Sequence, residues 1–141
     1  MGTPFTEIYD RFLVMTNDYK IDDKFKAGDD EIALKYLEGM LMSAMPLFQE
    51  YLYDKTLGEF IDILSVTEQN ILANCMVEVW FFKEINNATA MASLLQGRDK
   101  KNESQATFLD KKRAYLSTLV ERRDQLVETY QIEKIKKTLE V

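Results

Sequence analysis

Apolar residues recur at helical spacing through most of the chain, and the breaks between recurrences mark out four helices. The first covers 4–15, where Phe5, Ile8, Tyr9, Phe12 and Leu13 make one stripe. Thr3 reads as its N-cap and Pro4 as its first helical residue, a place where a missing N–H costs nothing. A polar stretch over 17–30 with a turn at Gly28 leads to the second helix, over 30–45. There Ile32, Tyr36, Met40 and Ala44 share a face flanked by Leu37, Leu41 and Met45, and Asp29, Asp30 and Glu31 place negative charge at the helix start. Pro46 ends that helix near Ala44–Met45, because its ring cannot continue the hydrogen-bond ladder.

The stretch 47–64 lacks helical periodicity. Tyr51 and Tyr53 alternate with polar neighbours, DKTLG reads as a turn, and Phe60, Ile61, Ile63 and Leu64 follow, which predicts a small β-hairpin. The third helix, over 66–85, opens on Ser65-Val66-Thr67-Glu68, a capping box. The run ILANCMVEVWFF behind it is apolar nearly all round, broken only by a stripe of Asn70, Asn74 and Glu78 four apart. A helix so enclosed is the central one of a bundle, with Cys75 and Trp80 in the core. Asn86-Asn87-Ala88-Thr89 reads as an interruption, AMASLL as a short fifth helical piece, and Ser104 as N-cap of a last helix over 104–129. In that helix Phe108 recurs as Leu119 and Tyr130, Leu109 as Val120, Tyr115 as Leu126 and Leu116 as Val127. Eleven residues in three turns keep this stripe nearly straight, as on a bundle helix rather than a left-handed coiled coil. The expected fold is mainly α: a four-helix-type bundle with a short fifth helical piece and a hairpin near 50–64. One helical domain spans 1–130, and 131–141 is a tail, helical or ordered at an interface.

The 141 residues are 46% apolar, enough for a core in one domain of this length. No apolar run approaches the ~20 residues that span a bilayer, and the opening residues lack the basic-then-apolar form of a signal peptide. A single cysteine excludes an internal disulfide and fits a reducing or redox-neutral setting. The absence of histidine removes His-based triads and most zinc sites. The net charge of −6 argues against nucleic acid as the main partner, but it is unevenly spread. Residues 1–97 carry −9 and residues 98–141 carry +3.

Candidate chemistry is sparse. Asp22, Asp23, Asp29 and Asp30 form two acidic pairs without the alternating ligands and closing Glu of a calcium loop, so they read as solvated charge. Glu78, beside Asn74, is either a buried acid with a raised pKa or the partner of a basic residue. Cys75 has no basic neighbour in sequence and reads as core. There is no phosphate-binding glycine loop and no nucleophile elbow, and no cofactor is expected. Arg98, Lys100 and Lys101 before the last helix, and Arg122 and Arg123 within it, are too interleaved with acids for a nucleic-acid face. They are either solvated charge or salt-bridging groups at a protein interface. Tyr51 and Tyr53 either anchor a partner or fold back on the core.

The order of segments carries a resemblance. FTEIYDRFL, the acidic DDEIALKYLEGMLMSAMPLF, then LSVTEQNILANCMVEVWFFKEIN and SQATFLDKKRAYLSTLVERRDQL resemble the small helical head–tail connectors, or neck adaptors, of tailed bacteriophages and prophages of Gram-positive bacteria. The likeness covers residues 5–130 and rests on core patterns. It implies a virion structural protein without enzymatic activity, made in the host bacterial cytoplasm and residing in the neck. Such a protein forms a ring of its own copies, commonly twelve, between the portal protein and the next neck or tail protein. DNA passes through as cargo, and no membrane is involved. In that setting Lys100, Lys101, Arg122 and Arg123 meet acidic surface of a neighbour, and Tyr51, Tyr53 and the tail supply apolar contact. The competing readings are a helical regulatory or binding module acting on a host or phage protein and, more remotely, a small enzyme with a carboxylate site at Glu78.

Overall fold

The computed structural model describes residues 2–16, 30–94 and 99–139, with side chains left undescribed at Asp30, Ile32 and 87–109. The turn expected at Gly28, the acidic residues Asp22, Asp23 and Asp29, and Arg98 lie outside the described residues. Four helices are present among those described: α1 (Phe5–Met15), α2 (Asp30–Ala44), α3 (Val66–Leu94) and α4 (Asp99–Leu139). A two-stranded antiparallel sheet, β1 (Tyr53–Asp54) and β2 (Glu59–Phe60), lies between α2 and α3. The protein is thus mainly α with a small hairpin.

Burial follows the expected stripe in α1, where Phe5, Ile8, Tyr9 and Phe12 are buried. In α2 the inward face is centred on Leu37, Met40, Leu41 and Ala44, which leaves Tyr36 at its exposed edge. There the Lys83 ammonium sits 5.6 Å from the centre of the Tyr36 ring. Pro46 acts as expected, since α2 stops at Ala44 and a single 3-10 turn, Met45–Leu47, replaces it. Helix α3 is the element on which α1, α2 and α4 all pack. Residues 71–78 are buried without exception, and Trp80 and Phe81 continue the core, their rings edge to face at 4.9 Å. On α4, Leu119 is buried, and Tyr115, Leu116, Val120, Leu126, Val127 and Tyr130 are half-buried, so the eleven-residue stripe is the face turned to the core.

The hairpin pairs Tyr53 with Phe60 and Asp54 with Glu59. The Asp54 carboxylate accepts from the amides of Thr56 and Leu57 at 3.0 and 3.2 Å, and Gly58 closes the turn with φ 66°, a backbone that L side chains avoid. The N-terminal residues lie along the other side of β2. The Phe60 amide donates to the Thr3 carbonyl at 2.8 Å and the Phe5 amide to the Gly58 carbonyl at 2.9 Å. A Cβ on Gly2 would fall 1.5 Å from the Phe60 carbonyl oxygen, so this approach requires glycine.

Three expectations are corrected. Thr3 does not cap α1: its hydroxyl donates to the Asp62 carbonyl at 3.3 Å and accepts from the Leu64 amide at 2.7 Å, tying the chain start to the hairpin instead. Asn86-Asn87-Ala88-Thr89 does not interrupt α3, which runs on to Leu94, so among the described residues there is no separate fifth helical piece. Asn and Thr each cost only a few tenths of a kcal/mol in a helix, and neither Gly nor Pro is present to stop it. Helix α4 begins at Asp99, which puts Ser104 inside it, because Lys100, Lys101 and Glu103 are good helix formers. The tail takes the helical one of its two expected forms: α4 passes residue 130 and reaches Leu139, with Lys136 and Lys137 in the last turn where they complement the helix dipole.

Candidate functional site

The polar stripe of α3 is the chemical centre of the molecule, and each of its members is met by a neighbouring helix. From α1, Arg11 donates through Nε to Gln69 Oε1 at 3.0 Å and through Nη1 to Asn70 Oδ1 at 2.8 Å. From α4, the Arg123 guanidinium lies 3.0 Å from Glu78 Oε1. Asn74, fully buried, donates through Nδ2 to Glu78 Oε2 at 3.3 Å and to the Leu119 carbonyl at 2.9 Å. Its own Oδ1 has no hydrogen-bond partner. A stripe that would be costly to bury alone thereby joins α1, α3 and α4.

Electrostatics there are set by burial. The Glu78 side chain is 5% exposed, and burial raises its pKa above the ordinary glutamate range, against the pull of Arg123 and the Asn74 amide. Burial, followed by the Glu78 charge, pushes the Cys75 thiol up to about 12, with Arg123 opposing. A thiol so placed is not a nucleophile at neutral pH. Each oxygen of Glu78 already has a partner in the chain and the side chain is almost wholly enclosed, so the carboxyl has little access to a substrate proton. The arrangement is a buried ion pair that fixes how α4 lies on α3.

Two open grooves lie among the described residues, the first of them beside this centre. One of about 380 Å³ is lined by Asp10, Arg11, Val14, Met15, Asn70 and Arg122. Arg122 and Arg123, adjacent in sequence, therefore part ways, because a helix turns about 100° per residue. Arg123 points into the seam and Arg122 to the rim of the groove. The second groove, about 600 Å³, lies between α2 and the hairpin turn and is lined by Lys35, Glu38, Gly39, Met42, Lys55 and Thr56. Lys55 Nζ stands 3.9 Å from Glu38 Oε1. Burial first, then the Glu38 charge, raises the pKa of the Tyr9 phenol.

The other expected site residues scatter. Tyr51 is half-buried and donates to Glu68 Oε2 at 2.6 Å, while Glu68 Oε1 accepts from the Ser65 amide and the Ser65 hydroxyl accepts from the Glu68 amide. The capping box is thus formed in both directions and held from outside by a tyrosine, whose phenol pKa is raised by burial and then by Glu68. Tyr53 is exposed, its ring edge-to-face with Phe5 and the two ring centres 6.1 Å apart. Lys100 and Lys101 lie in the first turn of α4, where only the backbone is described. Sequence reasoning missed Arg11, Glu38 and Lys55. The one signal for Arg11 was its position as the sole basic residue of the first helix, flanking the apolar stripe.

Among the described residues no group of three or more Cys, Asp or Glu is placed to hold a metal ion, and no helix is long and apolar enough to cross a membrane. Comparison of the chain with protein-family models, curated proteins and solved structures gives no match.

Proposed function

We propose that this protein is a virion structural subunit, a head–tail connector that forms a ring of its own copies between portal and tail and lets DNA pass. The observation that carries the reading is the amount of large apolar surface left at one end of the molecule. Leu52, Leu57, Ile61, Ile63 and Val66 around the hairpin are exposed, and so are Ile132, Ile135 and Leu139 on the last turns of α4. Apolar surface of this kind marks a place where another protein binds. The acidic body agrees with a channel wall that DNA slides past, since phosphate binding needs net positive charge. The resemblance of the segment order to connector proteins supports this choice of assembly.

The test is to mix the purified chain with the portal protein from the same genome and image the product by electron microscopy. The expected result is a closed ring of this chain, about twelve copies, stacked on the portal. A chain that stays off the portal, or that is bound instead to a host enzyme, overturns the reading in favour of a regulatory binding module.

A further inference from the structure

Helix α4 outruns the helix it packs on. Thr67 donates to Glu133 at 3.1 Å, so residue 133 stands abreast of the first turn of α3. The remaining six residues to Leu139 project about 9 Å beyond it at 1.5 Å per residue. Every residue from 131 to 139 is exposed. Ile132, Ile135 and Leu139 fall at i, i+3 and i+7 and so make one apolar edge, with Ile135 60% and Leu139 79% exposed. Lys134, Lys136 and Lys137 stand around that edge against Glu133, and Glu140 follows Leu139 in the sequence.

The hairpin at the same end has the opposite character. Residues 50–68 carry Glu50, Asp54, Glu59, Asp62 and Glu68 against Lys55 alone. Among these acids stand Leu57 and Ile63, 69% and 82% exposed. One surface is apolar and basic, the other apolar and acidic, and neither is covered by the chain's own core.

We propose that the projecting end of α4 in one copy docks on the hairpin surface of the next copy, apolar edge on apolar edge, with the lysines facing the carboxylates. The contact is heterologous, because its two halves are different surfaces. Both halves lie at one end of the molecule, so side-by-side copies related by a rotation bring them together at one height, as a closed ring requires. The choice of a second copy as occupant rests on the connector reading, and the pairing of the two surfaces rests on their charge and apolar content. An anionic membrane is disfavoured as occupant, since the hairpin acids adjoin the helix end and would repel it.

A mixture of two proteins, each with one introduced cysteine, tests the contact. One preparation carries Ile135→Cys and the other Ile63→Cys, so a disulfide-linked product of twice the chain mass is intermolecular. The native thiol at Cys75 is fully buried and stays silent. The expected result is at least tenfold more linked product than when Val14→Cys, on the exposed side of α1, replaces Ile63→Cys. Adding Lys136→Glu and Lys137→Glu to the first protein should cut the yield about tenfold, and adding Glu59→Lys and Asp62→Lys to the second should restore it. Circular dichroism confirms that each variant is folded. Yields equal to the Val14 control overturn the contact, as does a monomer that sediments with anionic vesicles instead of linking. A chain carrying both Ile63→Cys and Ile135→Cys that links into dimers and no further upholds the contact and overturns the ring. A ring on the portal without the link upholds the connector and overturns this contact.

Discussion

Residues 71–78 of α3 are all buried, and residues 131–139 of α4 are all exposed, although the two helices form one antiparallel pair. The difference lies less in the helices than in their company. Three helices surround α3, whereas α4 lies on α3 along one stripe and then runs past its end. Polar residues accordingly mean different things in the two places. On α3, Asn74 and Glu78 must find partners, and a nearby arginine and a carbonyl are supplied. On the end of α4, lysines need none, and the isoleucines are the residues out of place. The largest contrast is therefore a matched pair of truncations. Leu72→Ala should cost about 2–5 kcal/mol and Trp80→Ala about 3–5, a large part of the total of a small domain. Urea denaturation measures both, and a Trp80→Ala protein that melts like its parent contradicts the burial of α3.

Next in size is the ion pair that joins the two helices. Arg123→Ala leaves Glu78 buried without its guanidinium and should cost about 2–4 kcal/mol at neutral pH, less than a fully enclosed pair because Glu78 can take up a proton. That escape gives a sign to the pH dependence. The pKa of Glu78 is raised in the folded protein, so the folded state holds more proton than the unfolded one in the window just above the ordinary glutamate value. Stability contributed by this group therefore falls as pH rises through that window. Removing Arg123 raises the folded pKa further, so the deficit of the variant against its parent should be small at pH 4 and full at pH 8. Denaturation at both values reads it. A deficit equal at the two ends assigns Arg123 to packing alone.

The same comparison explains how much was legible in the sequence. Helix α3 was readable down to its two reciprocal cap bonds, because a capping box and an all-round apolar run are local signals. The stripe at 70, 74 and 78 was readable as a stripe, and the eleven-residue recurrence gave the inward face of α4. What is not written locally is which helix comes to meet them. Arg11 is 58 residues from Gln69 in sequence, and nothing near it announces that partner. Arg122 and Arg123 looked alike as neighbours, and only the rotation of α4 on α3 sends one inward and the other to a groove. Thr3 was a sound N-cap by type, but the hairpin offered its hydroxyl two stronger claims. Helix ends were least legible where Asn, Thr and charged residues stand in for Gly or Pro, as at 86–89 and 99–103.

Smaller effects sharpen the boundary between the two regions, where the hairpin meets the start of α3. Tyr51→Phe removes a hydrogen bond to a carboxylate and should cost about 1–2 kcal/mol, since Glu68 is half-buried and retains its cap bond. Ser65→Ala should cost about 1 kcal/mol through the lost cap. The double variant is informative because both bonds converge on Glu68. A double variant that costs less than the two single variants added together means that Tyr51 holds the carboxylate in capping position, and strict additivity means that it does not.

The smallest expected effect lies at the end of α4, and it is the sharpest test of the contrast. Ile135→Ala removes as many atoms as Ile71→Ala, and the two residues differ only in surroundings. At position 71 the side chain is fully buried, and its loss should cost about 2–5 kcal/mol. At position 135 more than half of the side chain is in water, so little apolar transfer and no cavity are at stake. Alanine is also the better helix former by a few tenths of a kcal/mol, which offsets what contact is lost. The isolated chain should therefore melt within about 0.5 kcal/mol of its parent. Thermal denaturation at low micromolar concentration measures this, and repeating it at concentrations that favour association separates two sources of any loss. A cost above about 1 kcal/mol in the dilute protein means that the helix end is folded back on its own chain, and 131–139 is then core. A cost that grows with concentration means that Ile135 is buried between copies, where oligomerisation adds to stability by mass action.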